Sequence, residues 1–143
     1  KKILLKMSVK LSKRLRKSGY ESKKFLVNIK IKAGWIQKKI NLGYATSNQS
    51  DIFKFCRQYL DMLDKGIGIY QVQVTAINPI QKNIQPDFFD QQIKHNNHLS
   101  VVDYINERFG SDIVRPARLK PAIYDSPDVI APAWRPNGYR KSV

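Results

Sequence analysis

Residues 23–43 read KKFLVNIKIKAGWIQKKINLG, and apolar and polar side chains alternate along them with a period of two. Successive side chains of an extended strand leave on opposite faces, so Phe25, Val27, Ile29 and Ile31 share one side while Lys24, Asn28, Lys30 and Lys32 share the other. Leu26 is the one aliphatic on the polar side. A helix would mix the two sets around its circumference, so the segment is constrained to paired strands with one oily face. The spacing predicts strands at about 24–32 and 35–42, joined by a hairpin turn at Ala33-Gly34. In the second strand Ile36, Ile40 and Leu42 join the oily side, and Trp35, Gln37, Lys39 and Asn41 the polar one. Lys38 falls among the apolar set, which points to a bulge or an edge position.

An oily sheet face needs a cover, and two flanking segments can supply it. Residues 2–18 place Leu4, Met7, Leu11 and Leu15 at helical spacing, with Lys6, Lys10, Lys13, Arg14 and Lys17 around the rest, and Ser18-Gly19-Tyr20 as the stop. A second helix is expected over about 50–64. Ser47 or Asn48 would cap it, Asp51 suits its first turn, and Ile52, Phe55, Cys56, Tyr59 and Leu63 would be buried. A third strand, 69–77, sets Tyr70, Val72, Val74 and Ala76 against Gln71, Gln73 and Thr75.

The fold class expected is therefore α+β: an antiparallel β-sheet covered on one face by two helices, within residues 1–78. The texture then changes to an irregular, amide-rich linker over 79–98 and a short helix over 99–110, built on Val101, Val102, Ile105 and Phe109 and ended by Gly110. An extended tail over 111–143 carries five prolines, at 116, 121, 127, 132 and 136.

The polar face left open by this arrangement carries lysines and amides and no carboxylate, and here composition becomes informative. The chain holds 26 Lys+Arg against 11 Asp+Glu, a formal charge of +15 in 143 residues. Residues 1–42 contain fourteen of the basic residues and one acid, Glu21. Such an excess calls for a polyanionic partner, nucleic acid before an acidic membrane surface. A face of lysines and amides neutralises phosphates and donates to their oxygens without reading bases. The candidate DNA-binding residues are Lys24, Asn28, Lys30, Lys32, Trp35, Gln37, Lys39, Gln71 and Gln73. Trp35, near the hairpin turn, either stacks on a base or sugar or covers the sheet edge.

Catalytic and metal classes find little support in the residues. His95 and His98 sit in the amide-rich segment without a cysteine or paired acid at ligand spacing, and no glycine-rich phosphate loop or nucleophile motif is present. Asp61 and Asp64 read as surface charge at a helix end, and Cys56 as a buried thiol. No run of about 18 apolar residues suggests a membrane span. The basic amphipathic start invites a transit-peptide or membrane-surface reading, but its leucine stripe is needed by the sheet. The chain opens Lys-Lys, as a piece of a longer protein would.

One further peptide stands out. QPDFFD, residues 85–90, carries Phe88 and Phe89 side by side in a proline-containing stretch too short to bury them itself, which suits either a partner groove or a fold-back onto the domain.

The order LSKRLRKSGYESKKFLVNIKI, a hairpin, NLGYATSNQSDIFKFCRQYLDMLDKGIGIYQVQVTAI, then QPDFFD and VVDYINERFG, resembles the C-terminal little finger domain of Y-family (DinB/UmuC/ImuB-type) translesion DNA polymerases with the tail that follows it, over about residues 2–110. The resemblance implies a four-stranded sheet backed by two helices, with its open face against the DNA duplex. It implies non-sequence-specific DNA binding in translesion synthesis and repair by a monomeric cytoplasmic, nucleoid-associated protein, and a sliding clamp as second partner. Gln85, Asp87 and Phe89 fit the family's clamp peptide, with Phe88 beside them, while Pro86 and Phe88 depart from its pattern. No catalytic residue and no cofactor is assigned to this segment; the resemblance implies a parent nucleotidyltransferase using Mg2+, its carboxylates upstream, and a first sheet strand that precedes the first helix. The alternative reading is an RNA-binding module with a basic sheet face, although such modules present aromatics on their central strands.

Overall fold

The computed structural model describes residues 1–63, 66–82, 91–110 and 113–119, with backbone alone for the helix over 91–97. Its elements are α1 (Lys2–Lys17), β1 (Tyr20–Ile31), β2 (Gly34–Thr46), α2 (Gln49–Asp61), β3 (Ile69–Ile77), β4 (Ile80–Gln81), α3 (Gln91–Phe109) and a 3-10 turn at Ala117–Leu119. The sheet is antiparallel in the order β2-β1-β3, with the short β4 pairing the start of β1. The expected α+β class is the one observed.

Alternation along β1 decides which side becomes core. Phe25, Val27 and Ile29 are fully buried and align across the sheet with Ile40 and Ala76, Lys38 and Val74, and Ile36 and Val72 respectively. Leu4 and Leu15 of α1 and Ile52 and Cys56 of α2 close over them. Lys38 stays exposed in the apolar rows because β2 is an edge strand, and the pairing there is regular, so no bulge is involved. Two other places do shift register, between Ser22 and Lys24 against β2, and between Lys30 and Ile31 against β3. The second shift takes Tyr70 out of the apolar row in which alternation placed it, and its side chain is 70% exposed.

Helix α1 buries more than its leucines. Ser8 and Ser12 lie on the core side with no exposure, their hydroxyls donating to the carbonyls of Leu4 at 3.0 Å and of Ser47. Ser12 thereby ties α1 to the loop that opens α2. That loop is the expected cap: Asn48 accepts from the Ser50 amide at 2.8 Å, and Thr46 donates to Asp51 at 3.0 Å. Gly19 follows the end of α1 with φ +71, a left-handed conformation that strains residues with a Cβ, and Gly34 takes φ +128 after the Lys32-Ala33 turn. The turn thus sits one residue earlier than expected.

The helix expected from residue 99 begins at Gln91. Residues 91–98 contain neither proline nor glycine, so nothing in their backbone chemistry stops the anchored C-terminal half from extending backwards. That half is fixed on α1. Asp103 receives Arg16 through two guanidinium nitrogens at 2.6 and 3.0 Å, and Glu107 receives Lys17 at 3.0 Å. Asn106 both accepts from and donates to the backbone of Val114, at 2.8 Å each, which turns residues 113–119 back across α1.

Candidate nucleic-acid interface

Pairing across the three long strands builds the open face in four rows. From the hairpin end they are Trp35, Lys30 and Gln71; Gln37, Asn28 and Gln73; Lys39, Leu26 and Thr75; and Asn41, Lys24 and Ile77. Directly opposed residues project to the same side, so these twelve positions form one surface, and no carboxylate occurs among them. Lys24, Lys30, Lys39, Gln37 and Gln71 are exposed. Eight of the nine candidate DNA-binding residues therefore share one face. The ninth, Lys32, is exposed in the hairpin turn at its edge.

The face has internal structure. Asn28 at its centre is only 8% exposed and donates to Gln73 at 3.0 Å, so the amide pair is oriented by its own hydrogen bond. The Asn28 carbonyl oxygen is buried without a hydrogen-bond donor among the described residues. Lys30 lies over the Trp35 ring, 5.9 Å from its centroid, while the indole is 47% exposed. Trp35 is thus partly engaged within the sheet, as an edge cover would be.

Leu99, Val102, Asp103 and Asn106 of α3 and residues 114–119 pack on the helix layer, on the far side of the sheet's core. Residues 85–89, with the candidate clamp-binding residues Gln85, Asp87, Phe88 and Phe89, lie outside the described residues, as do Asp64 and the tail from 120, and the His95 side chain is not described. Asp61 is surface charge: it pairs with Lys1 at 2.7 Å and Arg57 at 3.3 Å, and the hydrogen bond from Lys1 foremost holds its carboxyl below the usual range. Burial pushes the Cys56 thiol up to about 12, a value suited to an inert core residue.

Among the described residues no three His, Cys, Asp or Glu side chains are placed to hold a metal ion. No described helix is long and apolar enough to cross a membrane. Sequence reasoning missed Ser8, Ser12 and the Arg16–Asp103 pair. Two serines spaced i, i+4 on a leucine stripe were a visible sign of a tie to another segment; the partner of Arg16 lies 87 residues away and left no local trace.

No curated protein is recognisably similar to the chain. Its residues 1–88, however, match the family described as the impB/mucB/samB family C-terminal domain. With that match over more than half its length, and with the two-helix, open-faced sheet the resemblance implied, the chain belongs to the impB/mucB/samB family as a C-terminal domain of the Y-family DNA polymerase type.

Proposed function

We propose that the open sheet face grips the sugar-phosphate backbone of template-primer duplex DNA, without reading sequence, as the accessory domain of a Y-family polymerase in translesion synthesis and DNA repair. The observation that carries the reading is the four-row surface of lysines and amides with no carboxylate. Lys30, Lys32 and Lys39 neutralise phosphates; Gln37 and Gln71 donate to phosphate oxygens, and the Asn28–Gln73 pair holds the central row in place. The segment itself performs no chemistry. Nucleotidyl transfer belongs to upstream parts of a parent that works as a monomer at the bacterial nucleoid, and Gln85, Asp87, Phe88 and Phe89 tether it to the sliding clamp.

Changing Lys30, Lys32 and Lys39 together to Glu is expected to weaken binding to primed duplexes of unrelated sequence alike, by roughly a hundredfold near 0.1 M salt. In the unaltered chain, about five neutralised phosphates would give a slope of log K against log salt of roughly -4 to -5. Loss on one sequence only, or stronger binding to single-stranded RNA than to primed duplex, would remove the reading. Phe88→Ala with Phe89→Ala is expected to abolish clamp pull-down with DNA affinity unchanged, and retained pull-down would withdraw the tether.

A further inference from the structure

The hairpin end of the sheet carries an aromatic side chain that the four-row face does not use. Along β1 and β3 the pairing steps one residue at a time from Lys24 with Ile77 to Lys30 with Gln71, and then passes to Ile31 with Ile69. Tyr70 is the residue passed over. An inserted residue of this kind bends its strand and re-aims its side chain, and such irregularities gather at sheet rims and beside functional sites. The re-aimed ring is 70% exposed, and Ile69 beside it 42%. Its surroundings are cationic: Lys30 pairs with the adjacent Gln71, and Lys32 is exposed in the turn that follows Ile31. No Asp or Glu occurs in residues 30–36 or 66–73, the two stretches that make this end. Among the described residues the cation–ring contacts are Lys30 with Trp35 and Arg108 with Phe109, and Tyr70 takes part in neither.

We propose that Tyr70 is a stacking platform for single-stranded DNA, taking the first unpaired bases of the template strand where it leaves the duplex held on the open face. This inference rests on the reading of that face as a duplex grip and adds a second kind of substrate, the unpaired strand. A base within a duplex is already stacked on both sides, so an open ring gains nothing from it. An unpaired base offers its π-face to a ring whatever the sequence. The phosphates that come with it need cations and no carboxylates, and Lys32 and the acid-free stretches around Tyr70 meet that need. Trp35 is the poorer platform, because Lys30 already lies over its ring, 5.9 Å from the centroid. An apolar protein surface fits less well, because it would have to bury Lys30 and Lys32 beside the ring with no carboxylate in these stretches to pair them. Tyr70 stands outside the twelve positions of the open face, so it extends that surface without altering it.

The test uses the full 143-residue chain and fluorescein-labelled DNA read by fluorescence polarisation: a blunt duplex, the same duplex with a single-stranded template overhang, and oligothymidylate. The unaltered chain is expected to hold the overhang duplex more tightly than the blunt one. Tyr70→Ala is expected to weaken the overhang duplex and oligothymidylate about tenfold, leaving the blunt duplex within about twofold. Tyr70→Phe keeps the ring and is expected to stay within about twofold of the parent on all three. Tyr70→Leu, which keeps apolar bulk without a π-face, is expected to behave as Tyr70→Ala does, and it replaces that variant should the alanine form lose the parent's circular dichroism spectrum. The proposal is overturned by overhang and oligothymidylate affinities unchanged in Tyr70→Ala, by an equal loss on the blunt duplex, or by Tyr70→Leu binding as the parent does. Failure of the duplex grip itself reads differently, as a blunt-duplex affinity unchanged by Lys39→Glu, and would overturn the placing at a template junction even with oligothymidylate bound.

Discussion

Lys30 on β1 and Lys6 on α1 carry the same charge and stand on different ground. Lys30 rises from a row of tryptophan and amides on a sheet whose apolar residues point the other way, so the ligand it meets finds charge and hydrogen-bond donors and little oil. Lys6 borders a floor of leucine and valine, so the surface around it joins charge to apolar side chains. Basic composition alone does not distinguish these cases. What a cation is set against bears on the kind of partner it suits.

Both surfaces depend on the core between them, and the largest effect is expected there. Phe25, 1% exposed, sits on the inner side of β1 beneath the helices. Phe25→Ala is expected to lower the unfolding free energy by about 3–5 kcal/mol in urea titration, with its slope unchanged. A loss below about 1 kcal/mol would mean that sheet and helices are not joined at this residue, and the two sides would then have to be treated as independent bodies.

A smaller effect, confined to one side, is expected at Arg16. Its side chain is 12% exposed and that of Asp103 20%, so removing the guanidinium leaves a carboxylate poorly solvated and loosens α3 from α1. Arg16→Ala is expected to cost about 3 kcal/mol and to speed hydrogen exchange along α3, with duplex DNA affinity within about twofold of the parent. Matching losses on the sheet face would break the separation of the two surfaces.

The sheet side was far more legible in the sequence than the helix side, for a physical reason. Alternation is a local code: once Phe25, Val27 and Ile29 face inward, Lys24, Asn28 and Lys30 have no other place to go, and pairing carries the rule to Gln37 and Gln73. Tyr70 escaped because a register shift inserts a residue that alternation does not anticipate. The helix side depends on contacts between residues some 90 positions apart, such as Arg16 with Asp103 and Lys17 with Glu107, and no spacing rule reports them. The early start of α3 at Gln91 was obscured in the same way, because amide-rich residues without an apolar period still continue a helix that is anchored further on.

The shared core also gives a pH test that leaves both sets of lysines in place. Cys56 has its thiol pushed from 9.0 to about 12 by burial, so above pH 9 the unfolded chain releases a proton that the folded chain retains. Stability from this residue is therefore full below pH 9 and falls as pH rises toward 12, by about 1.4 kcal/mol at pH 10. Lysine titration overlaps this window and is cancelled by comparison with Cys56→Ala, whose stability is expected to lack that part of the fall. Parallel curves for the two proteins would show the thiol to be solvated, and the core beneath both surfaces looser than its packing indicates.

The smallest expected effect tests the contrast most directly, at Trp35. Lys30 lies 5.9 Å from the indole centroid and the ring covers the end of the sheet, so its main contact is already made within the protein. Trp35→Ala is expected to lower stability by about 0.5–1 kcal/mol and to weaken blunt duplex and primed template by the same small factor. A ring that instead stacked on bases would cost about 1–3 kcal/mol on the primed template's single-stranded overhang and nothing on blunt duplex. That selective loss would mean the sheet side uses apolar contact as well as charge, and the contrast between the bare sheet face and the apolar-floored helix side would no longer follow from what lies beside the lysines.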